Sequence, residues 1–204
     1  MFLHGYGECG NEINAVRKHG PPKLIPHFDE LANCYIVSPQ CPKDSWWRVA
    51  ALKSLVDEVV ADHSDIDNNR LYITGLSMGG YGTWSVVSHY PDFFAAAVPI
   101  CGGGDPFRLP KNVPPEKIGI RNEFLPEGLQ AAKALPIWTF HGDKDGAVPL
   151  LETQRLVKLL QDAGSQIKFT VDEGAGHVES WQNGYANPQL WKWMFSQKRS
   201  NSAR

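Results

Sequence analysis

The sequence predicts an α/β chain in which a mainly parallel central sheet is covered by helices on both faces. Three observations predict it. Short apolar runs that end in turn or polar residues alternate with segments of helical period. A serine flanked by glycines follows one of those runs where a helix should begin. The length, 204 residues, suits a single domain spanning 1–204 that buries roughly 70% of its unfolded surface.

In chain order, the strand candidates are "CYIVSPQ" at 34–40, "LYITGLS" at 71–77, "AAAVPICG" at 95–102, "IWTFHGD" at 137–143 and "IKFTVDEG" at 167–174. Leu52, Leu55, Val56, Val59 and Val60 recur at the spacing of a helix with one buried stripe. Leu156, Leu159, Leu160 and Ala163 repeat that spacing, and Gly164 stands where a C-terminal cap belongs. A last helix opens with Asn187 as N-cap and Pro188 in its first turn, then runs through "QLWKWMFSQ". One segment breaks the rhythm. Residues 105–126, "DPFRLPKNVPPEKIGIRNEFLP", are rich in proline and lack helical period. They read either as a lid-like insertion over the strand ends or as a passive surface loop.

Composition narrows the functional classes. A net charge of −2 provides no basic face for nucleic acid, and the terminal "QKRSNSAR" reads as a solvated end. No run of 18 apolar residues is present, so no membrane span is expected. The first residues lack the pattern of a signal peptide, and the compartment stays unassigned. Cys9, Cys34, Cys41 and Cys101 form no C-x-x-C pair and no cluster with histidine, which argues against structural zinc. No metal or other cofactor is expected. Cys9 and Cys41 both follow predicted strands and are the first pair to test for a disulfide, against the alternative of four inert thiols.

The chemistry gathers around Ser77. Ligands of an open parallel sheet collect at the carboxyl ends of its strands, and Ser77 sits at such an end. Gly75 and Gly79 complete G-x-S-x-G, whose small residues relieve the crowding of a sharp strand-to-helix turn that lifts the hydroxyl above the sheet. A serine is a poor nucleophile without a base and a group to orient that base. "FHGDKDGAVP" offers Asp143 and Asp145 after the next-to-last strand, and "EGAGHVESW" offers His177 after the last. Asp145 is preferred because Asp143 lies nearer the strand and can turn outward. His4 and His141 precede glycine at strand ends, where an imidazole often holds loop backbone; His19, His27, His63 and His89 read as surface residues. Acyl transfer also needs donors for a developing oxyanion, and the backbone N–H groups of Met78 and of Tyr6 in "LHGYGE" are the candidates.

The pieces "FLHGYGE", "SPQCPKDSWW", "RLYITGLSMGGYGTW", "PICGGGDP", "HGDKDGAVP", "GAGHVESW" and "YANPQLWKWMFSQ" cover most of the chain in order. Through them it resembles the α/β-hydrolase serine esterases, in the phospholipase/carboxylesterase-like branch related to feruloyl esterases and polyhydroxybutyrate depolymerases. The resemblance implies Ser77 as nucleophile, His177 as base, Asp145 as its acid partner, and Tyr6 and Met78 as oxyanion donors. It also implies Trp47 and Trp181 as walls of a substrate cleft, with a core role as the alternative for each. It further implies a sheet ordered 4-3-5-6-7-8, with the strand carrying "YIVS" as an exposed edge and the two strands ahead of it missing. Such an edge invites pairing with another copy of the chain, or filling by strands from elsewhere. The expected activity is metal-independent hydrolysis of a small-molecule carboxylic ester. A peptidase or thioesterase with the same triad, or a non-catalytic binding protein of the same fold, are the alternatives. A phosphate-binding role for "CGGGD" fares worse, since the Lys-Ser/Thr of a phosphate loop is missing.

Overall fold

The sheet of the computed structural model, which describes residues 1–104 and 123–199, has five parallel strands in the order β1-β2-β3-β4-β5. These are β1 (Phe2–Leu3), β2 (Tyr72–Leu76), β3 (Ala96–Ile100), β4 (Trp138–Gly142) and β5 (Lys168–Asp172). Four of them fall inside the predicted runs. Alternation along the strands sends Leu3, Ile73 and Ala97 to one face and Phe2, Ala96, Val98 and Ile100 to the other, so two apolar layers form. Both faces must then be covered, and helices cover them.

On the first face lie α3 (Val49–Asp62), α4 (Met78–His89), α5 (Pro126–Ala131) and α6 (Leu150–Asp162), which contribute Leu52, Trp84, Leu129 and Leu160 to one core. The short α1 (Gly20–Leu24) and α2 (Asp29–Ala32) share the second face with α7 (His177–Ala186) and α8 (Pro188–Ser196). Both predicted caps form. Gly164 follows α6 at φ +90°, a backbone region that glycine enters without penalty. The Asn187 side chain accepts the N–H of Gln189 at 3.0 Å to start α8.

One predicted strand is absent. Residues 34–40 lie beside β1, tied to it by the backbone hydrogen bond from Phe2 N to Val37 O at 2.8 Å, but they form no strand. Two causes suffice: β1 is only two residues long, and Pro39 and Pro42 bring no N–H to a ladder. The expected edge is therefore a tethered extended segment. Next to it a cavity of about 470 Å³ opens between Val37 and Tyr72, walled by Leu31, Val56, Val60 and Trp191. Of the insertion read at 105–126, residues 105–122 lie outside the described residues.

Candidate active site

Ser77 occupies the turn between β2 and α4 at φ 53°, ψ −118°, a conformation that side-chain-bearing residues rarely adopt. The flanking glycines explain how the chain holds it. A Cβ on Gly75 would run into the Gly79 carbonyl, and one on Gly79 would run into the Leu3 carbonyl of the neighbouring strand. Only a pair without side chains lets β2, α4 and β1 approach this closely. The turn is closed by Ser77 N donating to Ile100 O at 3.0 Å and Tyr81 N donating to Ser77 O at 3.1 Å.

The two partner groups come from the ends of β4 and β5. His177 is the first residue of α7, and its Nε2 lies 2.8 Å from Ser77 Oγ. Its Nδ1 lies 2.6 Å from Asp145 Oδ2. An ionised carboxylate only accepts, so Nδ1 carries the proton and Nε2 is left to accept from the serine hydroxyl. Asp145 Oδ1 accepts the N–H groups of Ala147 at 2.9 Å and Val148 at 2.8 Å, which fixes the carboxylate plane. Burial alone pushes this carboxyl up. The bonds from His141, His177 and Val148 N–H outweigh it and hold the group well below the usual carboxylate range. The Asp145 side chain is fully covered, whereas that of His177 keeps 19% of its surface exposed. Asp143 points away: its Oδ1 accepts Gly174 N at 2.7 Å, and Lys144 Nζ stands 3.8 Å from its Oδ2.

A residue read from sequence only as a loop support turns out to hold the carboxylate too. His141, buried at the end of β4, sends Nε2 to Val148 O at 2.9 Å and to Asp145 Oδ2 at 3.1 Å. Its Nδ1 meets Thr153 Oγ1 at 2.7 Å, and that hydroxyl donates to Gly102 O at 2.8 Å. The sequence signal was its place four residues before Asp145, but the contact depends on the 145–148 turn folding back. His4 behaves as expected. Its Nε2 accepts Cys41 N at 2.9 Å, so Nδ1 carries the hydrogen donated to Gly5 O at 2.6 Å.

Tyr6 opens a 3₁₀ turn (Tyr6–Glu8) just after β1, and Met78 opens α4. The first N–H groups of such turns have no partner within the helix. The loop lies against Ser77: a Cβ on Gly5 would stand 3.7 Å from Ser77 Cβ. The two tryptophans part company. Trp181 packs edge-on to the His177 ring at 5.2 Å and to the His19 ring at 5.7 Å, so it borders the triad although mostly buried. Trp47 is 4% exposed, with its ring 4.7 Å from His4 and against Gly82. It is a core residue beneath the Tyr6 loop, which corrects its reading as a cleft wall. His19 also departs from a plain surface role, since its Nε2 lies 3.6 Å from the buried Glu8 carboxylate.

Among the described residues, the donor atoms close enough to share a metal ion are those of Cys101, Asp145 and His177, within 4.8 Å of one another. Two of these are already bonded in the triad, and burial pushes the Cys101 thiol well up, which keeps it a protonated and poor ligand. The cavity beside β1 has no triad residue in its wall.

Comparison with known proteins agrees with this fold. Residues 49–111 match the model of the prolyl oligopeptidase family. Over 53 residues, 26% of this chain, the sequence is 49% identical to poly(3-hydroxyalkanoate) depolymerase C of Paucimonas lemoignei. That stretch is 13% of the depolymerase. The crystal structure of a thermostable esterase superposes with a TM-score of 0.75 at 32% identity, covering 97% of this chain and 54% of that one. A truncated carbohydrate esterase from gut microbiota gives a TM-score of 0.67 at 18% identity, over 96% of this chain and 82% of its own, a likeness of fold alone.

Proposed function

We propose that this chain, an esterase-like protein of the α/β-hydrolase fold, is a serine carboxylesterase built as one catalytic domain over residues 1–204. The observation that carries the proposal is the unbroken hydrogen-bonded series Ser77–His177–Asp145, at 2.8 and 2.6 Å. Ser77 attacks the ester carbonyl while His177 Nε2 takes its proton. The oxyanion rests on the Met78 and Tyr6 N–H groups, each worth about 2.7–4 kcal/mol in the transition state. His177 then protonates the departing alcohol, and water releases the acyl group by the same route. Asp145 fixes the imidazole tautomer and stabilises its cation, with His141 steadying the carboxylate from behind.

The names of the similar proteins, an esterase and a depolymerase of poly(3-hydroxyalkanoate), support carboxylic esters as the substrate class. Trp181 supplies an apolar wall beside the base, suited to an acyl or aromatic group. Ser77→Ala should lower kcat/KM for nitrophenyl acetate by about 10⁴-fold or more with the circular dichroism unchanged. Retained turnover overturns the assignment. A panel of short acyl, feruloyl and acetylated-sugar esters then ranks the natural substrate.

The match to the prolyl oligopeptidase family favours a peptidase as the second reading. A matched ester and anilide separate the two, the esterase reading requiring much faster loss of the ester. The homo-oligomer expectation belongs to the same proposal, with the extended 35–37 segment as the contact and light scattering as its readout.

A further inference from the structure

Cys9 and Cys41 are both free thiols, and neither takes part in the mechanism above. Cys9 ends the 3₁₀ turn that carries Tyr6, its N–H donating to Tyr6 O at 3.2 Å. Cys41 belongs to the segment that runs under that turn. The two strips are laced together: Gly10 N donates to Cys41 O at 2.9 Å, and Gln40 Nε2 donates to Glu8 O at 2.8 Å and to Glu12 O at 3.1 Å. Cys41 is 2% exposed and packed in the core, Cys9 packs against the same cluster, and each thiol is the largest influence on the acidity of the other.

We propose that Cys9 and Cys41 are a redox-sensitive pair whose oxidation to a disulfide re-aims the oxyanion loop and slows the site. The part about rate rests on the esterase reading above; the part about the disulfide does not. The pair is chemically asymmetric. The hydrogen bond from Cys9 lowers the Cys41 thiol, burial acts against it, and a bond from Ser45 lowers it further. Cys9 is pushed up, first by that shared bond and then by burial. Cys41 is thus the readier thiolate and Cys9 the resolving thiol.

With hydrogen peroxide as oxidant, the Cys41 thiolate takes one oxygen and releases hydroxide, giving a sulfenic acid. The Cys9 sulfur then displaces the sulfenic oxygen, which leaves with the Cys9 proton as water. Two thiols and one peroxide become one disulfide and two waters.

Bond formation draws the sulfurs together to about 2.05 Å. Cys41 is held by His4 through its N–H and by Gly10 through its carbonyl, so Cys9 must do most of the moving. Its displacement passes directly to Tyr6, whose carbonyl it holds. A misplacement on the order of 1 Å at a site of this kind can cost about 100-fold in rate.

The test uses the full chain carrying Cys34→Ser, which removes the exposed thiol that would compete for oxidant. Peroxide treatment followed by non-reducing peptide mapping should yield a Cys9–Cys41 cross-link. Nitrophenyl acetate turnover should fall about 10- to 100-fold in kcat with KM nearly unchanged, the mark of a donor that acts only in the transition state. Dithiothreitol should restore it, and Cys9→Ser should make the rate indifferent to peroxide. Mapping that finds both residues still as thiols, or separately over-oxidised, overturns the pair. A cross-link that leaves kcat unchanged in an active enzyme overturns its coupling to the loop. An inert Ser77 with the cross-link present sinks the esterase reading and leaves the disulfide standing.

Discussion

The rim where β2, β4 and β5 end and the open side of β1 belong to one sheet, yet they treat their polar groups in opposite ways. At the rim, Asp145 receives two backbone N–H groups and two imidazoles, and the series runs on through His141 and Thr153 to the Gly102 carbonyl. At the edge, β1 carries only Phe2 and Leu3, is tied to the 34–40 segment by the bond from Phe2 N to Val37 O at 2.8 Å, and lies beside a cavity of about 470 Å³. The rim is closely laced by polar bonds, and the edge is lined by an apolar cavity. The two meet in the loop after β1, because Tyr6 follows the two-residue edge strand while Ser77, Asp145 and His177 follow strands of five residues. In the proposed mechanism, nucleophile activation and oxyanion binding therefore draw on different parts of the sheet.

The sharpest way to break the rim is Asp145→Asn. It should lower kcat by about 10⁴-fold, since an amide favours the wrong imidazole tautomer, while the melting temperature changes little.

The smallest effect belongs to the outer support of the rim. His141→Gln should reduce kcat about tenfold with KM unchanged, because the carboxylate keeps its two N–H donors and loses only one imidazole. Equal loss in a stability assay and none in kcat would make His141 a packing residue.

Much of the rim was legible before any coordinates. Ser77, Asp145 and His177 each sit just past a strand-like run, and their order along the chain is enough to suggest convergence. The 34–40 segment was misread because "YIV" has strand composition, whereas pairing depends on a neighbour long enough to bond, and β1 has only Phe2 and Leu3. Trp47 was ambiguous for a similar reason: an aromatic side chain shows its type in sequence but not which way its backbone faces. The contact of His141 with Asp145 depends on a loop folding back onto an earlier strand, which no local pattern encodes, whereas Cys9 and Cys41 stand out as a pair because both follow strand-like runs.

The most direct measurement is labelling of the folded chain with a fluorophosphonate probe, followed by mass mapping of the adduct. Stoichiometric modification of Ser77, abolished by Ser77→Ala and greatly slowed by Asp145→Asn, is the expected result. A well-folded chain that takes up no label at residue 77 would contradict the claim that these three side chains form a working nucleophile.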